Sequence, residues 1–218
     1  MAGLDVKPYY EDDSVTIYHG DCRDILPLDC GSILTDPPYG INLQTNYHTR
    51  GRAVLADCRD YPPVHGDTGP FDPSVLLSMD VPTIIWGGNY FSSSLPNVSG
   101  WLVWDKLRPE GLDQADAELA WTNCVKGVRT FHHLWHGMMR ASEHGTGFHP
   151  TQKPVALMSW CIARADLQGP ILDPYMGAGP ALRAAKNLGR KAIGIEIEER
   201  YCEIAAKRMS QTVMALEV

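Results

Sequence analysis

The stretch ILDPYMGAGPALRAAKNLGRKAIGIE, residues 171–196, decides the fold of this chain. ILD reads as a short strand running into a turn that carries Gly177 and Gly179. PALRAAKNLG then has the composition of a helix, and KAIGIE that of a second strand closing on an acid. A strand, a Gly-x-Gly turn and a helix let the backbone approach a ligand at a helix N-terminus, where N–H groups point outward. Glu196, at the end of the following strand, can accept hydrogen bonds from ribose hydroxyls. The pattern suits an adenosine ligand. A dinucleotide site expects a third glycine where this chain has Leu182, so pyrophosphate binding is disfavoured. On this pattern alone a bare tight turn remains the competing reading.

The same alternation extends outward. Upstream, TQKPVALMSWCIARA (151–165) reads as a helix with Pro154 in its first turn, where proline is tolerated. Gly189 fits the end of the middle helix. Downstream, EERYCEIAAKRM reads as a helix whose apolar face is Ile197, Tyr201, Ile204 and Ala205, at i, i+4, i+7 and i+8. Helix, strand, helix, strand, helix predicts an α/β fold with a doubly wound, mostly parallel sheet. Further strands are expected at VTIY (15–18), GSILT (31–35), PTIIWGG (82–88), WLVWDK (101–106) and AELAWT (117–122). Trp86, Trp101, Trp104, Trp121 and Trp135 lie in or beside these strands and are expected in the core or at its edge.

With 218 residues, 44% hydrophobic and 21% charged, the chain is sized for one domain, 1–218. Residues 41–73 and 125–150 show no regular period, and irregular stretches of that length carry function or are mobile. The six cysteines are scattered without a C-x-x-C pair, which suggests neither a disulfide framework nor a thiolate zinc site. His132, His133, His136, His144 and His149 lack a clear metal-ligand spacing, and no metal is expected. No run approaches the ~18 apolar residues of a membrane span, and MAGLDVKPYYEDD lacks the order of a signal peptide, so the expected location is the cytoplasm. A net charge of −7 argues against non-specific coating of nucleic acid. Locally the balance reverses: Lys126, Arg129, Arg140 and Lys153 stand against Glu143 alone between residues 126 and 153.

LTDPPYG, residues 34–40, puts an aspartate after an apolar run and then omits two backbone donors. Asp36, Pro37 and Pro38 therefore present acceptors on a stiff backbone, which suits a neutral ligand rich in donors. A rigid turn after a strand is the plainer alternative.

DPYMGAG followed by GIE resembles the S-adenosylmethionine motifs of methyltransferases, while HPTQKP (149–154) and DPPYG resemble two further motifs of DNA amino-methyltransferases. The DPPY element precedes the cofactor loop, which looks like the circularly permuted β class of these enzymes with their Rossmann-like fold. The resemblance implies S-adenosylmethionine as cofactor, bordered by Asp173, Tyr175, Gly177 and Gly179, with Glu196 on its ribose and Asp21 reading its adenine. Thr151, Gln152 and Lys153 would meet its methionine end, Lys153 at the carboxylate. Two positions depart from the commoner family pattern: Tyr175 stands where phenylalanine is usual and Pro180 where threonine is usual.

That resemblance gives DPPY a chemical purpose. The lone pair of an exocyclic amine is delocalised into the base, so the nitrogen is a poor nucleophile until acceptors on its N–H groups hold it tetrahedral. Asp36 and the Pro37 carbonyl are the implied acceptors, and in-line transfer then needs orientation and electrostatics rather than a metal. The base must flip out of duplex DNA, and Tyr39 is the expected aromatic face. Asn89, Tyr90 and Phe91 either border that pocket or form a packed loop. DNA contacts are expected from Arg50, Arg52, Lys126, Arg129 and Arg140, phosphate more than base.

In the family it resembles, a leading Asp goes with adenine N6 more often than with cytosine N4, so the resemblance implies adenine N6, with cytosine N4 as the first alternative. Methylation of a protein glutamine is disfavoured by Asp36, since the enzymes of that kind usually show Asn there. From another class comes a non-catalytic DNA- or cofactor-binding protein. The resemblance points to a bacterial or phage enzyme acting on duplex DNA, alone or within a restriction-modification pair. A homodimer is the habit of the β class rather than anything composition shows.

Overall fold

The computed structural model describes residues 6–43, 45, 62–108, 115–136, 139–143 and 151–211. Its strands are β1 (Tyr10–Glu11), β2 (Val15–His19), β3 (Ser32–Thr35), β4 (Thr83–Trp86), β5 (Trp101–Asp105), β6 (Ala117–Thr122), β7 (Val128–His132), β8 (Trp135–His136), β9 (Met139–Arg140), β10 (Ile171–Asp173) and β11 (Ala192–Glu196). The helices are α1 (Cys22–Ile25), α2 (Ser74–Leu77), α3 (Val155–Ala165), α4 (Pro180–Asn187) and α5 (Glu199–Ser210).

Among the described residues, one sheet runs β1-β2-β11-β10-β3-β4-β6-β5-β7, and β8 pairs with β9 as a separate hairpin. β2, β11, β10, β3 and β4 are mutually parallel, and β1 and β6 run against them. The winding reverses between β10 and β3. From β10 the chain steps out through β11 toward β2, and from β3 it steps out through β4. Ligands of such sheets bind beyond the carboxyl ends of the strands at this reversal.

Alternate residues of the central strands feed two cores. Leu34, Ile84, Trp86 and Ile171 pack under α3, α4 and α5. Ile33, Ile85, Leu172 and Ile195 face the other way, toward α1 and α2. The second layer is thin, two single-turn helices and the loops around them. β3, β4 and β10 are buried along their whole length, which explains why they read as unbroken apolar runs rather than alternating ones.

Three expectations shift. Residues 125–150 are not uniformly irregular: VRTFH forms β7, an exposed edge strand whose polar residues hid its period, and the β8–β9 hairpin follows. Ile197 precedes α5, and Ile204 is only half-buried. The buried face is instead Tyr201, Cys202, Ala205, Arg208 and Met209, as the helix starts at Glu199. Pro154 caps α3 rather than entering its first turn. The short elements β1, α1 and α2 have too few residues to carry a periodic signal.

Candidate active site

At the end of β10, Asp173 is buried and accepts hydrogen bonds from the Thr35 hydroxyl at 2.7 Å and the Tyr175 N–H at 3.2 Å. Burial pushes its carboxyl up to about 7 against those two bonds. The following turn reaches α4 through Gly179, whose φ of +71° suits glycine and whose added Cβ would stand 3.2 Å from the Ala205 Cβ on α5. Two backbone donors grip Glu196, Gly177 N–H on Oε2 at 2.9 Å and Glu198 N–H on Oε1 at 2.8 Å. Each carboxylate oxygen keeps a second lone pair for a ligand hydroxyl. Asp21 caps α1 by accepting the Arg23 N–H at 2.9 Å and also pairs with the Arg23 guanidinium. Arg208 on α5 donates to the Ala178 carbonyl at 2.6 Å and to Glu143 at 3.2 Å. Glu143 in turn accepts the first backbone N–H of α3 at 2.8 Å and lies 3.3 Å from Gln152, tying the glycine turn to the 151–154 segment.

Beyond β3 the contacts change in kind. Asp36 accepts from the Tyr39 hydroxyl on Oδ1 at 2.6 Å and from the Lys153 ammonium on Oδ2 at 2.6 Å. Lys153, only 3% exposed, also reaches Glu118 at 3.0 Å and the Tyr39 hydroxyl at 3.0 Å. Glu118, on β6, takes Lys106 on its other oxygen at 2.5 Å. Burial raises the Asp36 carboxyl above the usual carboxylate range; Lys153 opposes the rise and the Glu118 carboxylate adds to it. Burial would also raise Glu118, but Lys153 and Lys106 outweigh it and hold that carboxyl down to about 2. Burial works against the Lys153 charge, yet Asp36 and Glu118 push it up to about 12. The Tyr39 ring stacks on Tyr90, centroids 5.0 Å apart, and lies so close to Gly87 that an added Cβ would fall 2.0 Å from it.

Both ends open into one cavity of about 380 Å³. Asp36, Pro37, Pro38 and Tyr39 line it, as do Asp21, Thr151, Gln152, Lys153, Asp173, Tyr175, Gly177 and Glu196. Gly179 does not; it shapes the turn behind the lining.

Other residues sit differently from expectation. Lys153, expected at the methionine carboxylate, is committed to Asp36 and Glu118. Tyr39, the expected aromatic face for a base, lines the cavity and has Tyr90 stacked on one side of its ring. Lys126 and Arg129 are exposed at the start of β7, the outermost strand, which runs parallel to β5; they lie at the opposite end of the sheet from the cavity. Sequence alone could not reveal this, because it depends on the direction of an edge strand. Arg140, on β9, covers the ring of Trp135 across the hairpin at 4.2 Å. Arg50, Arg52, His144 and His149 lie outside the described residues. Among the described residues no cluster of three or more His, Cys, Asp or Glu could hold a metal, and no helix is long and apolar enough to cross a membrane. Glu118, Lys106, Glu143 and Arg208 went unnoticed as site residues; the one faint signal was an acid inside the otherwise apolar strand AELAWT.

Comparisons with known proteins bear on the family and the fold. A family model described as DNA methylase, of N6 and N4 methyltransferases, matches residues 80–207. Type II methyltransferase M2.LlaDCHI of Lactococcus lactis subsp. cremoris is 26% identical over 95% of this chain and 94% of its own length. Type II methyltransferase M2.DpnII of Streptococcus pneumoniae is 26% identical over 94% and 93%. Among solved structures, the PvuII DNA methyltransferase (cytosine-N4-specific) superposes with a TM-score of 0.63 at 14% identity, covering 97% of this chain and 92% of that one. The M1.HpyAVI complex with S-adenosylmethionine gives 0.55 at 22% identity, covering 90% and 100%.

Proposed function

The chain belongs to the DNA methylase family of N6 and N4 methyltransferases, and from that premise we propose that it methylates the N6 amine of an adenine flipped out of duplex DNA, using S-adenosylmethionine. The observation that carries the reading is the single cavity shared by Asp36 and the Gly177–Glu196 turn. The donor set fits the cofactor: acceptor carboxylates, Glu196 and Asp21, for ribose hydroxyls and an adenine amine, in a cavity of about 380 Å³, within the range of small-molecule sites.

When bound, the cofactor supplies an electrophilic methyl group on a sulfur that leaves as a neutral thioether. The protein's share is orientation. Asp36 accepts one N–H of the adenine amine and the Pro37 carbonyl the other, which localises the nitrogen lone pair toward the methyl carbon. Burial strengthens Asp36 as an acceptor and lets it take up the proton that the alkylated nitrogen sheds. For a base to take the face of Tyr39 that Tyr90 covers, the ring must shift from its place against Tyr90. That movement withdraws the hydroxyl from Asp36 Oδ1 and frees the oxygen for the amine. Lys153 stays on Oδ2 and keeps the carboxylate aimed. Arg140, on the β8–β9 hairpin, is the remaining described candidate for a DNA phosphate contact. A bacterial cytoplasm, native or phage-infected, supplies both substrates, and a homodimer remains the expected assembly, readable by sedimentation with and without DNA.

The test uses the purified chain, methyl-tritiated S-adenosylmethionine and duplex DNA, followed by digestion to nucleosides. N6-methyldeoxyadenosine is the expected product. Label in N4-methyldeoxycytidine moves the assignment to cytosine, and bound cofactor without any labelled DNA makes the chain a binding protein.

A further inference from the structure

Glu118 lies outside both the expected motifs and the lining of the cavity. It nevertheless closes the charge cluster around Asp36. The Lys153 ammonium has three protons and three partners, Asp36 at 2.6 Å, Glu118 at 3.0 Å and the Tyr39 hydroxyl at 3.0 Å. Glu118 is also the second oxygen within reach of the Tyr39 hydroxyl, at 3.3 Å against 2.6 Å for Asp36. Lys106 holds Glu118 from the far side at 2.5 Å and is not among the residues that line the cavity. Two ammonium groups and two carboxylates thus alternate in a short row, Lys106, Glu118, Lys153, Asp36.

Resting on the adenine-methylation reading, we propose that Glu118 is a positioning residue for the transfer: it draws off part of the Lys153 charge and receives the Tyr39 hydroxyl when that ring moves, so that Asp36 keeps its strength as an acceptor for the substrate amine. Without Glu118 the whole Lys153 charge falls on Asp36, and the hydroxyl has no other acceptor in the cluster. Either change weakens the bond that activates the nitrogen. The groups facing Asp36 are Lys153 ahead of α3, Tyr39 on its own loop, Glu118 on β6 and Asp173 on β10. Lys106 acts on it only through Glu118.

The row makes opposite predictions for Glu118 and Lys106. The acid limb of the kcat–pH profile reports the ionisation Asp36 must keep in the complex. In Glu118→Gln a neighbouring negative charge is lost, Asp36 holds its proton less well, and the limb moves to lower pH while the plateau falls about 10-fold. In Lys106→Gln a positive charge is lost and the limb moves to higher pH. Glu118→Asp keeps the charge and brings the limb back toward its original place. Cofactor affinity, measured by calorimetry, stays within about twofold in all three, since none of these side chains lines the cavity. A merely structural role would lower melting temperature and rate together and leave both limbs in place, and that result overturns the proposal. Limbs moving the same way for Glu118→Gln and Lys106→Gln also overturn it. Wild-type protein run alongside separates the two levels: no adenine methylation by wild type ends the functional reading itself, whereas active wild type with an unaltered Glu118→Gln profile ends only the inference.

Discussion

The two ends of the cavity are secured by different kinds of bond. At the proposed cofactor end the carboxylates hang largely on the backbone: Glu196 on the N–H groups of Gly177 and Glu198, Asp173 on that of Tyr175 with the Thr35 hydroxyl beside it. At the proposed target end Asp36, Tyr39, Lys153, Glu118 and Lys106 hold one another through side chains, with Asp36 and Lys153 separated by 117 positions. Backbone donors cannot rotate away or titrate, so the first arrangement is a fixed seat. Side-chain partners can be exchanged, and in the proposed reaction the Tyr39 hydroxyl on Asp36 Oδ1 is the partner that gives way to the substrate amine.

Three substitutions would break or sharpen this contrast. The largest effect is expected from Asp36→Ala, which should lower methyl transfer about 100-fold by deleting a charged acceptor, with cofactor affinity unchanged within about twofold. If binding and turnover fall together, the two ends are not separable. Next comes Glu196→Gln, where an amide N–H₂ must face one of two backbone donors. The cofactor Kd should rise about 10-fold while kcat at saturating cofactor stays near wild type, the mirror image of the first result. A fall in kcat alone would contradict it.

The smallest effect is on stability. Asp173 sits at about 7 in the fold, above the ~3.9 of an unfolded aspartate. Its contribution is therefore fully present below the unfolded value and is lost as pH rises through 7. Asn at this position keeps the Thr35 bond without the charge. Asp173→Asn should then melt higher than wild type at pH 8, by about 2–4 °C per kcal/mol recovered, with the gap closing toward pH 5. A gap that is equal at both pH values would mean Asp173 is not buried as a charge.

The same contrast explains what could be read from the sequence. The cofactor end lies within residues 171–196, so its strand, turn, helix and acid announce themselves in order, and the structure places them as that order implies. DPPY was legible for a related reason: two prolines restrict one short segment. Glu118 and Lys106 gave no such local sign, because their significance arises only when β6 is laid beside β4 and β5. Lys126 and Arg129 mislead for the same reason: net charge along the chain does not tell which end of a sheet it will occupy.

The strand order has a consequence for how the protein is made. β2 and β3 leave the ribosome early, yet in the finished sheet β11 and β10 stand between them. Throughout translation of the middle of the chain, the two early strands therefore have open edges on either side of a two-strand gap, with Ile17, Ile33 and Leu34 awaiting neighbours. Nascent chains arrested before residue 171 should collect chaperones or aggregate, and release of the last fifty or so residues is what turns a fragment into an enzyme.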